Sequence, residues 1–171
     1  AASMERRRLA KTGMLRSAHM LGNEEEIIFA ATDLLADTKL APELSNEAHY
    51  YRAKAYLDAG KTDGAMEDLK VLAKDTRNVY GAEAKYKVAQ IYFDGGQTDK
   101  AEQEVLNYIE VSTPHTYWLA RSFVLLADVY MKLGRNLDAK QYLLSLKQNY
   151  QADDDIAGMI ESRLEKLKTE N

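Results

Sequence analysis

The side chains of this chain that could do chemistry are three histidines, many carboxylates and one basic cluster. His19, His49 and His115 could move a proton near neutral pH or ligate a metal through a ring nitrogen. A helical metal site asks for a second ligand one turn away on the same face. None of the three has a histidine partner at i+4, and they fall in separate segments. Cysteine is absent, so thiolate nucleophiles, disulfides and cysteine-based zinc sites are excluded together. With 27 acidic residues, carboxylate pairs arise by chance, and nothing in their pattern marks an enclosed cleft that would raise a pKa. Gly95-Gly96 lacks the Lys-Ser/Thr that follows the glycines of a phosphate-binding loop. Arg6-Arg7-Arg8 and Lys11 could meet an acidic partner, nucleic acid or lipid headgroups, but four charges on one helix read first as a solvated face. No nucleophile stands with a base and an orienting group. The expectation is a protein that is not an enzyme, with no cofactor and no metal.

The elements that would position these residues are written as a repeat. Tyr56, Gly60 and Ala65 recur with the same offsets as Tyr92, Gly96 and Ala101, and again as Tyr130, Gly134 and Ala139. The glycines lie 36 and then 38 residues apart. A period in that range marks a solenoid of helical hairpins. In the third copy, Thr113-Pro114 is expected to open a helix as N-cap and first residue. Leu119, Phe123, Leu126, Ala127 and Tyr130 form its apolar stripe, and Gly134 stops it. Asn136 is expected to cap the second helix, as Thr62 and Thr98 do in the other copies. The middle helices are expected over 48–59, 63–74, 82–94 and 99–111, with Pro42 in the connection before them. A degenerate copy centred on Gly22 precedes them, with helices at about 4–21 and 24–37. Leu9, Leu15 and Leu21 are read as the apolar side of the first, and Ile27, Ala31, Leu34 and Leu35 as that of the second. Asp153, Asp154 and Asp155 are expected to start a last helix, where negative charge meets the positive end of the dipole. Its stripe is Ile156, Ile160, Leu164 and Leu167, and its other face is charged, as in a capping helix.

The fold class expected is therefore all-α: a right-handed α-solenoid of about four antiparallel hairpins plus a C-terminal capping helix. It is read as a single domain over 1–171. A degenerate repeat covers 4–38, clear repeats cover 46–74, 82–111 and 114–150, and the cap covers 153–169. Hydrophobic residues, 46% of the chain, suffice for a core. The net charge of −4 supplies no global basic field, so nucleic acid is not an expected partner. No apolar run approaches the roughly 18 residues that span a bilayer, so direct membrane insertion is not expected. The sequence opens at Ala1 without an initiator methionine, as a processed protein or a piece of a longer one would.

The three copies resemble the tetratricopeptide repeat. That family asks for a small residue in the middle of the first helix, a tyrosine three later, a glycine at the turn and an alanine early in the second helix. Ala53, Ala89 and Ala127 supply the small residue beside the tyrosines, glycines and alanines already named. Where an aromatic is usual, the first two copies depart with His49 and Lys85, and only the third keeps it, as Phe123. Three residues on, Arg52, Val88 and Leu126 stand where an apolar residue is usual. The period also exceeds the family's usual 34. Long repeats of this kind look like those of bacterial cell-envelope assembly and cell-division factors, which tilts the expected location to the bacterial envelope or periplasm.

The resemblance implies that the first helices of the hairpins line a concave groove. Carried onto this sequence, the groove residues are Arg16, His19, Glu47, Tyr50, Lys54, Tyr86, Gln90, Phe93, Arg121, Asp128 and Met131. Aromatics and one methionine with charges of both signs suit an extended peptide or a helix of another protein. Tyr50 and Tyr86 could equally pack between helices as core. The asparagines that some chaperone-binding members use to clamp a C-terminal carboxylate are missing. The function implied is a protein–protein interaction scaffold. The alternative is a packing module of a larger envelope or secretion protein with no ligand of its own. Partner identity and oligomeric state are left open.

Overall fold

A computed structural model describes residues 2–170, and among these there are nine α-helices and no strand. They run α1 (Ala2–Leu21), α2 (Glu24–Leu35), α3 (Pro42–Asp58), α4 (Thr62–Leu72), α5 (Val79–Asp94), α6 (Thr98–Glu110), α7 (Thr116–Lys132), α8 (Asn136–Asn149) and α9 (Ile156–Thr169). The chain divides into two compact units, one up to Lys74 and one from Asp75 on. In the first, α1 packs on α2, α2 on α3 and α3 on α4. In the second, α5 packs on α6, α7 on α8 and α8 on α9, and α5, α7 and α9 also touch in succession.

The motif residues explain the hairpins. Ala53, Ala65, Ala89, Ala101, Ala127 and Ala139 are all buried, so each first helix can approach its second closely. Gly22, Gly60, Gly96 and Gly134 take φ of 66° to 77°. At each, the following amide donates to the carbonyl five residues back to close the helix, as Arg135 does to Tyr130 at 2.8 Å, while Gly134 donates to Met131 at 3.1 Å. This double bond pattern is the Schellman stop, and it needs a left-handed residue. A Cβ at Gly134 would meet no atom within 4 Å, so the backbone alone opposes it. Gly134→Ala is expected to cost about 1–2 kcal/mol, and Gly134→Asn less, measured by urea unfolding. Equal stability of Gly134→Ala and wild type would contradict this reading.

Several expected boundaries move. Helix α7 starts at Thr116, not Pro114. The Thr113 hydroxyl instead accepts from the His115 amide at 3.1 Å and donates to the Thr76 carbonyl at 2.8 Å, fastening two connections together. Thr62, Thr98 and Asn136 are first helical residues, and no side-chain cap forms at the residues before them. The side-chain caps are Asn23 and Asn78, whose carbonyl oxygens accept from Glu26 and Gly81. Pro42 is the first residue of α3 rather than part of a connection, as its fixed φ permits. The acids Asp153 to Asp155 precede α9, where Asp154 accepts from the Ile156 amide at 2.9 Å. On α1, Leu9 and Leu21 are exposed, and the buried face is Thr12, Leu15 and Ala18. Steps of six turn a helix by about 240°, whereas steps of three keep one face.

The first unit's core is Leu15, Ala18, Ile27, Ala30, Ala31, Leu34, Ala48 and Ala55. The second unit's core is larger and centres on α7, with Val124, Leu125, Leu126 and Ala127 packed on Val105, Leu143, Ile156 and Ile160. None of the described helices is long and apolar enough to cross a membrane.

Candidate functional site

In the first unit, Arg16 and His19 of α1 meet α3 at Glu47 and Tyr51, while Tyr50 and Lys54 pair with each other along α3. Arg16 donates to both Glu47 oxygens, at 2.7 and 2.9 Å. Those hydrogen bonds, aided by the Arg16 charge, hold the Glu47 carboxyl below the ordinary carboxylate range although burial opposes it. The His19 ring stacks on Tyr51 at 4.0 Å, and the Lys54 ammonium lies 5.5 Å from the Tyr50 ring centre. Sequence reading missed Tyr51, and it missed that Leu9 and Met20 share the Arg16 face of α1. Both are largely in water, at 74% and 85% exposure. The signal was present, since residues 9, 16 and 20 are separated by whole turns.

In the second unit, Tyr86 lies in the core, at 7% exposure, with its ring 5.7 Å from Trp118. Its hydroxyl donates to Gln90 at 2.9 Å and accepts from Arg121 at 3.0 Å. Gln90 passes the chain on to Asp94 at 2.8 Å, and Arg121 also donates to the Tyr117 hydroxyl at 3.0 Å. Tyr86, Gln90 and Arg121 therefore fasten α5 to α7. The other three candidates behave differently. Phe93 of α5 and Asp128 and Met131 of α7 together line an open groove of about 460 Å³, completed by Lys132, Ser162, Arg163 and Lys166.

The α9 contribution was not foreseen. Arg163 donates to both oxygens of Asp128, at 2.8 and 2.9 Å, and to the Met159 carbonyl at 3.2 Å. Arg163 follows Asp128 by 35 residues, the step that also separates Tyr86 from Arg121. Helix α9 thus occupies the place of the next repeat's first helix against α7, and its Ser162, Arg163 and Lys166 face the groove. The lining holds three cations against one carboxylate, around an apolar floor of Phe93 and Met131. Such a surface can take an apolar side chain and a carboxylate from an approaching segment. Among the described residues, no three His, Asp or Glu side chains converge as metal ligands.

A second polar cluster, inside the first unit, was also missed. Asp68 of α4 is 1% exposed and accepts from Arg52 through both oxygens, at 2.9 and 2.7 Å. His49 Nδ1 stands 2.7 Å from the same carboxylate, which can only accept, so that nitrogen carries the proton. Burial pushes the Asp68 carboxyl up, but the bonds from His49 and Arg52 outweigh it and hold it below 3.8. These contacts fill the two positions at which the repeat pattern was broken.

The tetratricopeptide-repeat profile matches residues 47–75 and, in a second variant, residues 120–148. No curated protein matches the chain. Among solved structures, the crystal structure of MamA aligns with a TM-score of 0.61 at 21% identity, covering 92% of this chain and 96% of that one. Two structures of nearly identical TPR-like repeats from a Podosopora anserina putative kinesin light chain align at 16% identity, with TM-scores of 0.58 and 0.56. Each covers 95% of this chain, and 93% and 94% of its own. At these identities the likeness concerns the fold.

Proposed function

Since this chain belongs to the tetratricopeptide-repeat family, we propose that it is an interaction scaffold that grips a segment of another protein against the first helices of its hairpins. The family is one of non-catalytic repeat scaffolds, and protein binding is its general role. The observation that carries the finer reading is the groove on the second unit. Phe93, Asp128 and Met131 were singled out by repeat position alone, and the same three line one concavity with Arg163 and Lys166. A fitting segment has one large apolar side chain to cover Phe93 and Met131 and one or more carboxylates to meet Lys132 and Lys166. Asp128 is engaged by Arg163 and sets the position of that guanidinium. In the first unit, Tyr50 and Lys54 beside the Arg16–Glu47 pair offer a separate surface of mixed charge. The bacterial envelope is the proposed setting, resting on the long repeat period.

The test is selection of a displayed random-peptide library on the full chain. Selected peptides are expected to share an apolar anchor next to acidic residues. The Phe93→Ala/Met131→Ala variant should bind them at least tenfold more weakly while keeping its helical circular dichroism. Tyr86 is left intact, because its removal would disturb the core. Peptides that bind wild type and this variant equally would sink the groove assignment.

A further inference from the structure

The last hairpin carries a second concavity, of about 280 Å³, between α8 and α9. On α8 it is lined by Leu137, Lys140, Leu144 and Lys147, at steps of three and four, so that leucine and lysine alternate along one face. Leu137 is 80% exposed and Leu144 46% exposed, which is uncommon for two leucines on one stripe of a folded helix. Leu164 and Leu167 of α9 complete the floor. The α9 residues here are distinct from Ser162, Arg163 and Lys166, which face the Phe93 groove.

The rim decides what fits. Lys140, Lys147 and Lys168 border the groove against a single carboxylate, Glu161, and Lys147 meets that carboxylate at 2.5 Å. Lys168 reaches Glu165 at 3.4 Å, and Lys140 makes no ion pair among the described residues. A basic rim around leucines, on a chain of net charge −4, is a local reversal of sign. Two parallel ridges of side chains form a seat for a third helix. From Leu137 to Lys147 the seat is about 15 Å long at the helical rise, roughly three turns.

We propose that this groove docks an acidic amphipathic helix of a partner protein, about three turns long. Its apolar stripe covers Leu137 and Leu144, and its flanking carboxylates meet Lys140 and Lys168. This surface is separate from the Phe93 groove and serves a different segment.

The experiment uses the full chain and two fluorescent synthetic helix-forming peptides of about four turns. Both carry one leucine stripe; one has Glu on the flanks and the other Lys at the same places. The Glu peptide is expected to bind at least tenfold more tightly by anisotropy. Leu137→Ser/Leu144→Ser, which alters only exposed side chains, should weaken it at least tenfold with unchanged circular dichroism. Lys140→Glu/Lys168→Glu should turn the preference toward the Lys peptide. Phe93→Ala/Met131→Ala should leave Glu-peptide binding unchanged, which separates this site from the other groove. Absence of binding, equal binding of both peptides, or loss caused by the Phe93→Ala/Met131→Ala variant would overturn the proposal. A wild-type dimer in sedimentation that Leu137→Ser/Leu144→Ser converts to monomer would assign the groove to a second copy and also overturn it.

Discussion

Asp68→Ala is expected to destabilise the first unit by about 3–5 kcal/mol, the cost of breaking a buried ion pair from one side. The substitution leaves the Arg52 guanidinium, four-fifths removed from water, without either carboxylate oxygen and with only the Thr32 hydroxyl to accept from it. It also takes away the oxygen facing His49 Nδ1. The reason Asp68 is tolerated at all is visible across the repeats. His49 and Asp68 are 19 residues apart, and the same step joins Lys85 to Glu104 at 3.1 Å and Phe123 to Tyr142 at 6.1 Å between ring centres. One pair of positions thus bridges the two helices of each clear hairpin, ionic in the first two copies and aromatic in the third. His49→Phe/Arg52→Leu/Asp68→Tyr gives the first copy the residues of the third and should regain most of the loss, because well-packed apolar groups replace buried ion pairs at little cost. Acid should reveal the same group. The folded-state value lies below the ordinary 3.8, so the contribution is whole above that pH and is lost as pH falls through the depressed value. Urea unfolding of Asp68→Ala equal to wild type would show that the cluster contributes nothing.

Removal of α9, by ending the chain at Asp155, is expected to cost the second unit on the order of 5 kcal/mol. Ile156, Ile160 and Leu167 are buried, and each is worth about 1.5–3 kcal/mol on transfer from water. The deletion also uncovers the α7–α8 core around Leu126 and Leu143, and frees Asp128 from Arg163. The truncated chain should melt lower and scatter light on warming, since the apolar side of a repeat is exposed without a terminal helix. A monomeric truncated chain with unchanged melting would contradict the role given to α9.

Much of the architecture was legible because it rests on residues with one structural meaning. Positive φ demanded glycine at Gly60, Gly96 and Gly134, and close helix approach demanded alanine at Ala53, Ala89 and Ala127. The capping residues were not legible in the same way. Threonine and asparagine at 62, 98 and 136 are common both as caps and as first helical residues, and the spacing alone does not separate the two. The His49–Arg52–Asp68 cluster was missed because each departure from the pattern was read by itself. The compensating residue lies 19 positions away on the other helix, a distance that only the hairpin closes. Arg163 was assigned to the solvent side of a cap, since a stripe of Ile156, Ile160, Leu164 and Leu167 accounts for only one neighbour. In the structure α9 has two, α7 and α8.

The groove of the second unit is tested most directly by amide chemical shifts of the isotope-labelled full chain titrated with a peptide selected on it. Shifts should cluster at Phe93, Met131, Arg163 and Lys166, and should vanish in Phe93→Ala/Met131→Ala. Shifts centred on Leu137 and Leu144, or spread evenly over the chain, would contradict the assignment of that groove as the surface that holds a partner.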